Sequence, residues 1–426
     1  MSALRRLTQS RFFRGVMAIA GGTALAQAAG VLLSPLLTRL YTPEAMGLWG
    51  LFVSFLGVAS VLATLRYEVA IVAAPSEEDA LALTRSSLVL GVLTGLLGAL
   101  ALEFLRQKNL LGYGALPPWA FLLAFPALVA FAWGMALRYY SVRQGAFDLV
   151  GRFTVAQGIA RPVAQVLFSF AGGTGLLLGE VLGRFLGLAT LWRILPKAQA
   201  SWFSPGVLAK YKAYPLVQLP SGLLNTLALM APVPVFTALY GPAVGGSLAL
   251  AQRVVALPVS LVGAAVADVF YGRAAELARE KPQALRPFLL TTAFRLFLIA
   301  FPFGLALWLL APLLAPWVFG SAWEEAGRMM AVMAPWMVAQ LTVSPVSRVI
   351  FLSRWSWMKL VYDTSALMII VLLLGLKLDS GKALTFLSWG STALYGIYFL
   401  VMVLIVGLET RLNTPEIAEQ KGSRHG

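Results

Sequence analysis

The chain has 426 residues, 59% hydrophobic and only 12% charged, and apolar runs of about twenty residues recur from end to end. That excludes a soluble domain and predicts an all-helical polytopic membrane protein. The net charge of +15 would suggest nucleic acid, but most of the 33 Lys and Arg fall on one side of the predicted spans, which makes the excess a matter of topology.

Twelve spans are predicted, near residues 14–37, 46–74, 86–105, 118–138, 153–172, 174–195, 214–239, 243–270, 288–311, 326–351, 360–377 and 384–407. Arg5, Arg6, Arg11 and Arg14 precede the first, but no cleavage pattern follows it, so it is read as a retained helix rather than a signal peptide. Its middle carries Gln27. Between spans 1 and 2 lies Pro35–Gly47, and between spans 7 and 8 lies Pro234–Gly246. The identities Pro35/Pro234, Thr38/Thr237, Leu40/Leu239, Tyr41/Tyr240, Pro43/Pro242 and Gly47/Gly246 share one offset. The chain is therefore read as duplicated, with two six-helix lobes of the same orientation related by an axis along the membrane normal. The lobes are expected at 1–198 and 214–408, with a connector at 199–213 and a tail at 409–426. Lys197, Lys210, Lys212, Trp202 and Phe203 suit an interfacial connector helix. Both termini are expected in the cytoplasm, together with the polar stretches Pro75–Arg85, Pro196–Ala213 and Gly272–Pro287.

The outer loops, Pro312–Glu325 among them, are short and offer only Glu44, Glu324, Glu325 and Asp379 as acids. A membrane glycosyltransferase, polymerase or ligase needs an extracytoplasmic catalytic loop, so a transporter rather than an enzyme is expected. Cysteine is absent and the one histidine, His425, is in the tail. Thiolate or imidazole metal sites and a His relay are thereby excluded from the spans, and no cofactor is implied. Prolines recur inside spans, at Pro35, Pro126, Pro162, Pro220, Pro232, Pro234, Pro258, Pro302, Pro335 and Pro345, where each favours a kink.

Charges inside a membrane need partners or a wet cavity, since an uncompensated ion at mid-bilayer costs about 3 kcal/mol on insertion scales. Arg253 lies about nine residues into span 8, roughly 13 Å at 1.5 Å per residue, with no acid within one turn. It is expected to face a cavity and bind an anion, the alternative being a cross-helix ion pair. Arg66 and Glu68 in span 2 either line the inner part of the bundle or mark its interface. In a continuous helix they would point about 200° apart and could not neutralise one another. Gln157, Arg161 and Gln165, spaced by four, form a polar stripe that must look inward. Glu180 and Arg184 have the i, i+4 spacing of a local pair. Arg295 has no local acid. Asp268 and Asp363, near inner ends, suit solvated or helix-pairing roles, and Asn225 in span 7 is a hydrogen-bonding candidate. Internal arginines outnumber internal acids, which favours an anion over a cationic drug. Arginine holds its charge when desolvated and grips phosphate bidentately, so a phosphate-bearing substrate is expected.

Four segments carry a family resemblance: Thr-Arg-Leu-Tyr-Thr-Pro-Glu-Ala-Met-Gly (38–47), Leu-Arg-Tyr-Glu-Val-Ala-Ile-Val (65–72), Gln-Arg-Val-Val-Ala-Leu-Pro (252–258) and Val-Phe-Gly-Ser-Ala-Trp-Glu-Glu-Ala-Gly (318–327). The chain resembles Wzx-type polysaccharide flippases of the MOP exporter superfamily over nearly its whole length. The resemblance implies two six-helix lobes in a V around a central cavity in the bacterial inner membrane. It also implies alternating access that carries an undecaprenyl-diphosphate-linked oligosaccharide, an O-antigen or exopolysaccharide repeat unit, to the outer leaflet. Arg253 matches by position a cavity arginine of the related lipid II flippases, whereas span 1 departs from them, offering Gln27 mid-span and a cation only at Arg39. The resulting site expectation is Arg253, Arg66, Arg161, Arg39, Arg295, Gln27, Asn225 and Gln252 for substrate. Glu68 and Glu180 are the candidates for coupling to H+ or Na+. A monomer is expected, with a polysaccharide polymerase as a possible partner. A lipid II flippase or a cation-coupled drug exporter on the same scaffold is the rival reading. Across the repeat Arg39 faces Ala238, and Ser54 corresponds to Arg253.

Overall fold

The computed structural model describes residues 11–194 and 201–412. Arg5, Arg6, Lys197 and the tail from residue 413 on, with His425, lie outside the described residues. The regular elements described are all helices: α1 (Arg11–Leu32), α2 (Ser34–Leu40), α3 (Pro43–Leu62), α4 (Tyr67–Ala73), α5 (Glu77–Gln107), α6 (Ala120–Arg143), α7 (Phe147–Leu167), α8 (Gly173–Thr190), α9 (Pro205–Lys210), α10 (Ala213–Met230), α11 (Pro232–Tyr240), α12 (Pro242–Pro258), α13 (Ala264–Glu280), α14 (Pro282–Phe319), α15 (Glu324–Val343), α16 (Met358–Leu373) and α17 (Ser380–Leu412). Seven stretches among the described residues are long and apolar enough to cross a membrane, and α10 with α11 adds an eighth as a pair bent by 41°. Helices α7, α8, α15 and α16 occupy the other four expected positions. They fall below the same threshold because α7, α8 and α15 carry charges and α16 has only 16 residues.

Local chemistry explains the helix ends. Thr42 caps α3 by accepting from the Ala45 N–H at 3.3 Å, with Pro43 in the first turn, where a missing N–H costs nothing. Ser76 caps α5 by accepting from the Asp79 N–H at 3.1 Å, and Glu77, Glu78 and Asp79 complement the positive end of that helix. Proline sets the breaks: Pro35 opens α2, Pro232 opens α11, and a π-helical turn, Val259–Gly263, follows Pro258.

Three expected boundaries change. The inner stretch Gly272–Pro287 is helical on both sides of Lys281. Helix α14 runs 38 residues through Pro302, Pro312 and Pro316, so the loop expected from Pro312 starts only at Gly320, whose φ of +103° turns the chain. Span 2 is broken, with α3 ending at Leu62 and α4 starting at Tyr67.

The chain forms two compact units, Met1–Leu250 with Val318–Trp323, and Ala251–Trp317 with Glu324–Gly426. In the first, α5 packs on α6, α7 on α8 and α1 on α7, around a core that includes Tyr67, Ile71, Leu83, Leu137, Tyr140 and Leu191. Helices α10 and α11 join this unit because both lie against α3. In the second, α15 and α16 pack on α17 over a core that includes Phe270, Leu289, Val346 and Met402, with Phe270 and Phe288 stacked at 5.2 Å.

Candidate functional site

The polar stripe on α7 faces a row of glycines on α8. A Cβ on Gly183 would lie 2.6 Å from the Arg161 Cα, one on Gly179 2.5 Å from the Gln165 Cγ, and one on Gly187 2.8 Å from the Gln157 Cβ. The helices therefore meet backbone to backbone, as small residues permit between membrane helices. Gln165 is buried and uses its side-chain N–H to donate to the Leu176 carbonyl at 3.3 Å, while its own carbonyl accepts from the Tyr41 hydroxyl at 2.5 Å.

At the centre of this seam Glu180 is fully buried. One of its oxygens, Oε1, accepts from Arg184 Nε at 3.0 Å and lies 3.6 Å from Arg161 Nη1. The Trp49 indole interacts with the same carboxylate. The expected Glu180–Arg184 pair is present, and Arg161 joins it from the neighbouring helix. Arg184 lies 5.6 Å over the Phe131 ring, with 10% of its side chain exposed against 33% for Arg161. Two guanidiniums share one carboxylate, so the cluster carries an excess positive charge, and its open side belongs to Arg161. The glycine row Gly175, Gly179, Gly183 and Gly187 was the missed sequence signal for this seam.

The second pair corrects the projection of a continuous helix. Leu65 and Arg66 have φ of +51° and +64°, so the chain turns between α3 and α4 and the 200° separation does not apply. Arg66 Nη1 comes within 3.8 Å of Glu68, which is buried and also accepts from the Thr64 hydroxyl. The Arg66 guanidinium rests on α10 at Gly222, where a Cβ would lie 2.4 Å from Nη2.

The other expected site residues belong to both units. In the first unit Gln27 is partly exposed on α1, Arg39 is exposed on α2, and Asn225 is exposed on α10, one turn beyond Gly222. In the second unit Gln252 and Arg253 are partly exposed on α12, and Arg295 is exposed on α14. The second unit also pairs Asp268 with Arg348, and buried Asp363 with Lys359.

The fold is that of the MOP superfamily of membrane transporters. It is similar to the lipid II flippase MurJ in an inward closed conformation, with a TM-score of 0.71 at 16% identity over 92% of this chain and 90% of that one. It is also similar to an inward-facing multidrug resistance MATE transporter, at 0.58 and 14% over 92% and 95%. A mutant form of VcmN, a MATE transporter of Vibrio cholerae, gives 0.56 and 16% over 96% and 98%. No curated protein matches the sequence. The model of the polysaccharide biosynthesis protein family matches residues 36–328, more than half of the chain, and the protein belongs to that family.

Proposed function

We propose that the protein is a Wzx-like flippase that moves a polyprenyl-diphosphate-linked oligosaccharide between leaflets of the bacterial inner membrane by alternating access. The carrying observation is the Arg161–Glu180–Arg184 cluster, which holds more positive than negative charge among membrane-buried helices and turns its exposed arginine to the open side. Such a site favours an anion, and guanidinium forks match diphosphate oxygens. Membership of a polysaccharide biosynthesis family supports a sugar cargo over a drug. In this reading Arg161, Arg66 and Arg253 attract the diphosphate and acidic sugars, with Arg39, Arg295, Gln27, Asn225 and Gln252 as further contacts. Glu68, buried beside Arg66, serves a coupling cation better than Glu180, which two arginines already hold. The six-plus-six lobes, cytoplasmic termini, monomeric state and a polymerase partner belong to the same proposal.

The test is complementation of a flippase-null strain. Arg253→Ala is expected to abolish export of lipid-linked sugar at unchanged protein level, and normal export by that variant would overturn the assignment.

A further inference from the structure

Two of the patterned segments, which apart from Arg39 contribute nothing to the proposed site, meet through Thr38 and Trp323 at one end of the first unit. Helix α2 ends at Leu40 and Thr42 is extended, so the Thr38 carbonyl cannot be taken by the next helical amide. It accepts instead from the Trp323 indole N–H at 2.8 Å, across 285 residues of sequence. Trp323 is 1% exposed and is the largest of the fully buried side chains described. Its segment, Val318–Trp323, packs with the first unit although the chain on either side belongs to the second.

Beside this contact α3 and α12 cross at repeat-equivalent positions. A Cβ on Gly47 would lie 1.9 Å from the Pro242 carbonyl oxygen, and one on Gly246 would lie 1.9 Å from that of Pro43. One turn on, a Cβ at Gly50 would lie 3.2 Å from the Cβ of Ala249, its own repeat equivalent. Each half thus closes on the other through the same residues. The glycine crossing gains from close packing alone and leaves no polar group unsatisfied when it parts. The indole bond is the directional element.

Alternating access already requires this end to close and part, and we infer that Trp323 is the latch that holds the crossing shut. Opening separates Gly47 from Pro242 and Gly246 from Pro43, and withdraws the indole from Thr38. A hydrogen bond of ordinary net strength biases such an equilibrium toward closure roughly fivefold. The inference rests on the flippase reading only in that cargo must pass this end.

The chain contains no cysteine, so introduced thiols report alone. Ala249→Cys is labelled with a membrane-impermeant maleimide applied from the hairpin side, with and without Trp323→Phe, which keeps the packing and removes the donor. The expected result is labelling roughly fivefold faster with Trp323→Phe, and an unchanged rate overturns the latch. Gly50→Cys with Ala249→Cys, oxidised to a disulfide, is expected to stop export until reductant is added, since their separation is near that of bonded cysteines. Native export by the fully cross-linked protein overturns the gate. Labelling needs no cargo, so the expected labelling without export of lipid-linked sugar by the native chain would count against the flippase reading alone.

Discussion

Arg161, from α7, reaches to 3.6 Å of the same Glu180 oxygen that Arg184 holds at 3.0 Å. The two arginines differ in exposure, and that difference separates their roles. Arg184 is enclosed, so its bond to Glu180 is structural, whereas a third of the Arg161 side chain is exposed and is the part assigned above to the substrate. Glu180→Gln leaves the enclosed Arg184 guanidinium without a counter-charge, beside the partly exposed Arg161, and is expected to cost about 3–5 kcal/mol, read as a large fall in the melting temperature of the purified protein. Glu180→Gln with Arg184→Gln should recover most of it. Arg161→Gln is expected to melt nearly as the native protein does while exporting less.

Two ion pairs of the second unit are predicted to differ in weight for the same reason. Asp268 and Arg348 have 76% and 44% of their side chains exposed, and a pair in that setting contributes about 0–1 kcal/mol. Asp363 is 2% exposed beside Lys359, and its chain neighbour Tyr362 lies against the rings of Tyr395 and Tyr398. Asp363→Asn should therefore lower the melting temperature far more than Asp268→Asn, and equal shifts would refute the ranking.

The connector gives a pH-dependent prediction. Lys210 Nζ donates to Asp79 at 2.5 Å and the Tyr211 hydroxyl donates to the same oxygen at 2.8 Å. The hydrogen bond to Asp79 raises the Lys210 pKa, as does its charge. A raised lysine contributes fully below its unattached value near 10.4 and loses the contribution as pH climbs through the raised one. A spin label at Gly206→Cys, where a Cβ meets nothing within 4 Å, should stay slow at neutral pH and become mobile as the pH climbs above that range. With Asp79→Asn it should be mobile throughout.

Much of this was legible in the sequence because its causes are local. The i, i+4 spacing of Glu180 and Arg184 became an ion pair, and the repeated turn became two hairpins that cross. Arg66 and Glu68 were left between two readings, a helix that continues past them or one that ends there, because the break rests on two consecutive residues with positive φ, which no pattern in Leu65–Arg66 announces. Trp323 was hidden for another reason. Its partner is a carbonyl, which every residue carries, and lies 285 positions away, so composition and periodicity hold no trace of it.

The last prediction concerns the asymmetry of charge within a symmetric backbone. Ser54 on α3 is 5% exposed, whereas its repeat equivalent Arg253 on α12 is partly exposed. If only cavity charge mattered, transposing the pair as Ser54→Arg with Arg253→Ser would preserve export. The burial of position 54 argues otherwise, because an arginine there must be desolvated with no acid supplied for it. The transposed protein is expected to export no lipid-linked sugar and to melt lower. Arg253→Lys should fold normally and export partially, since the charge remains but the two-pronged grip on phosphate is lost. The measurements are surface sugar in a flippase-null strain and the melting temperature of each purified variant. Full activity of Arg253→Lys would reduce the role of Arg253 to that of a point charge.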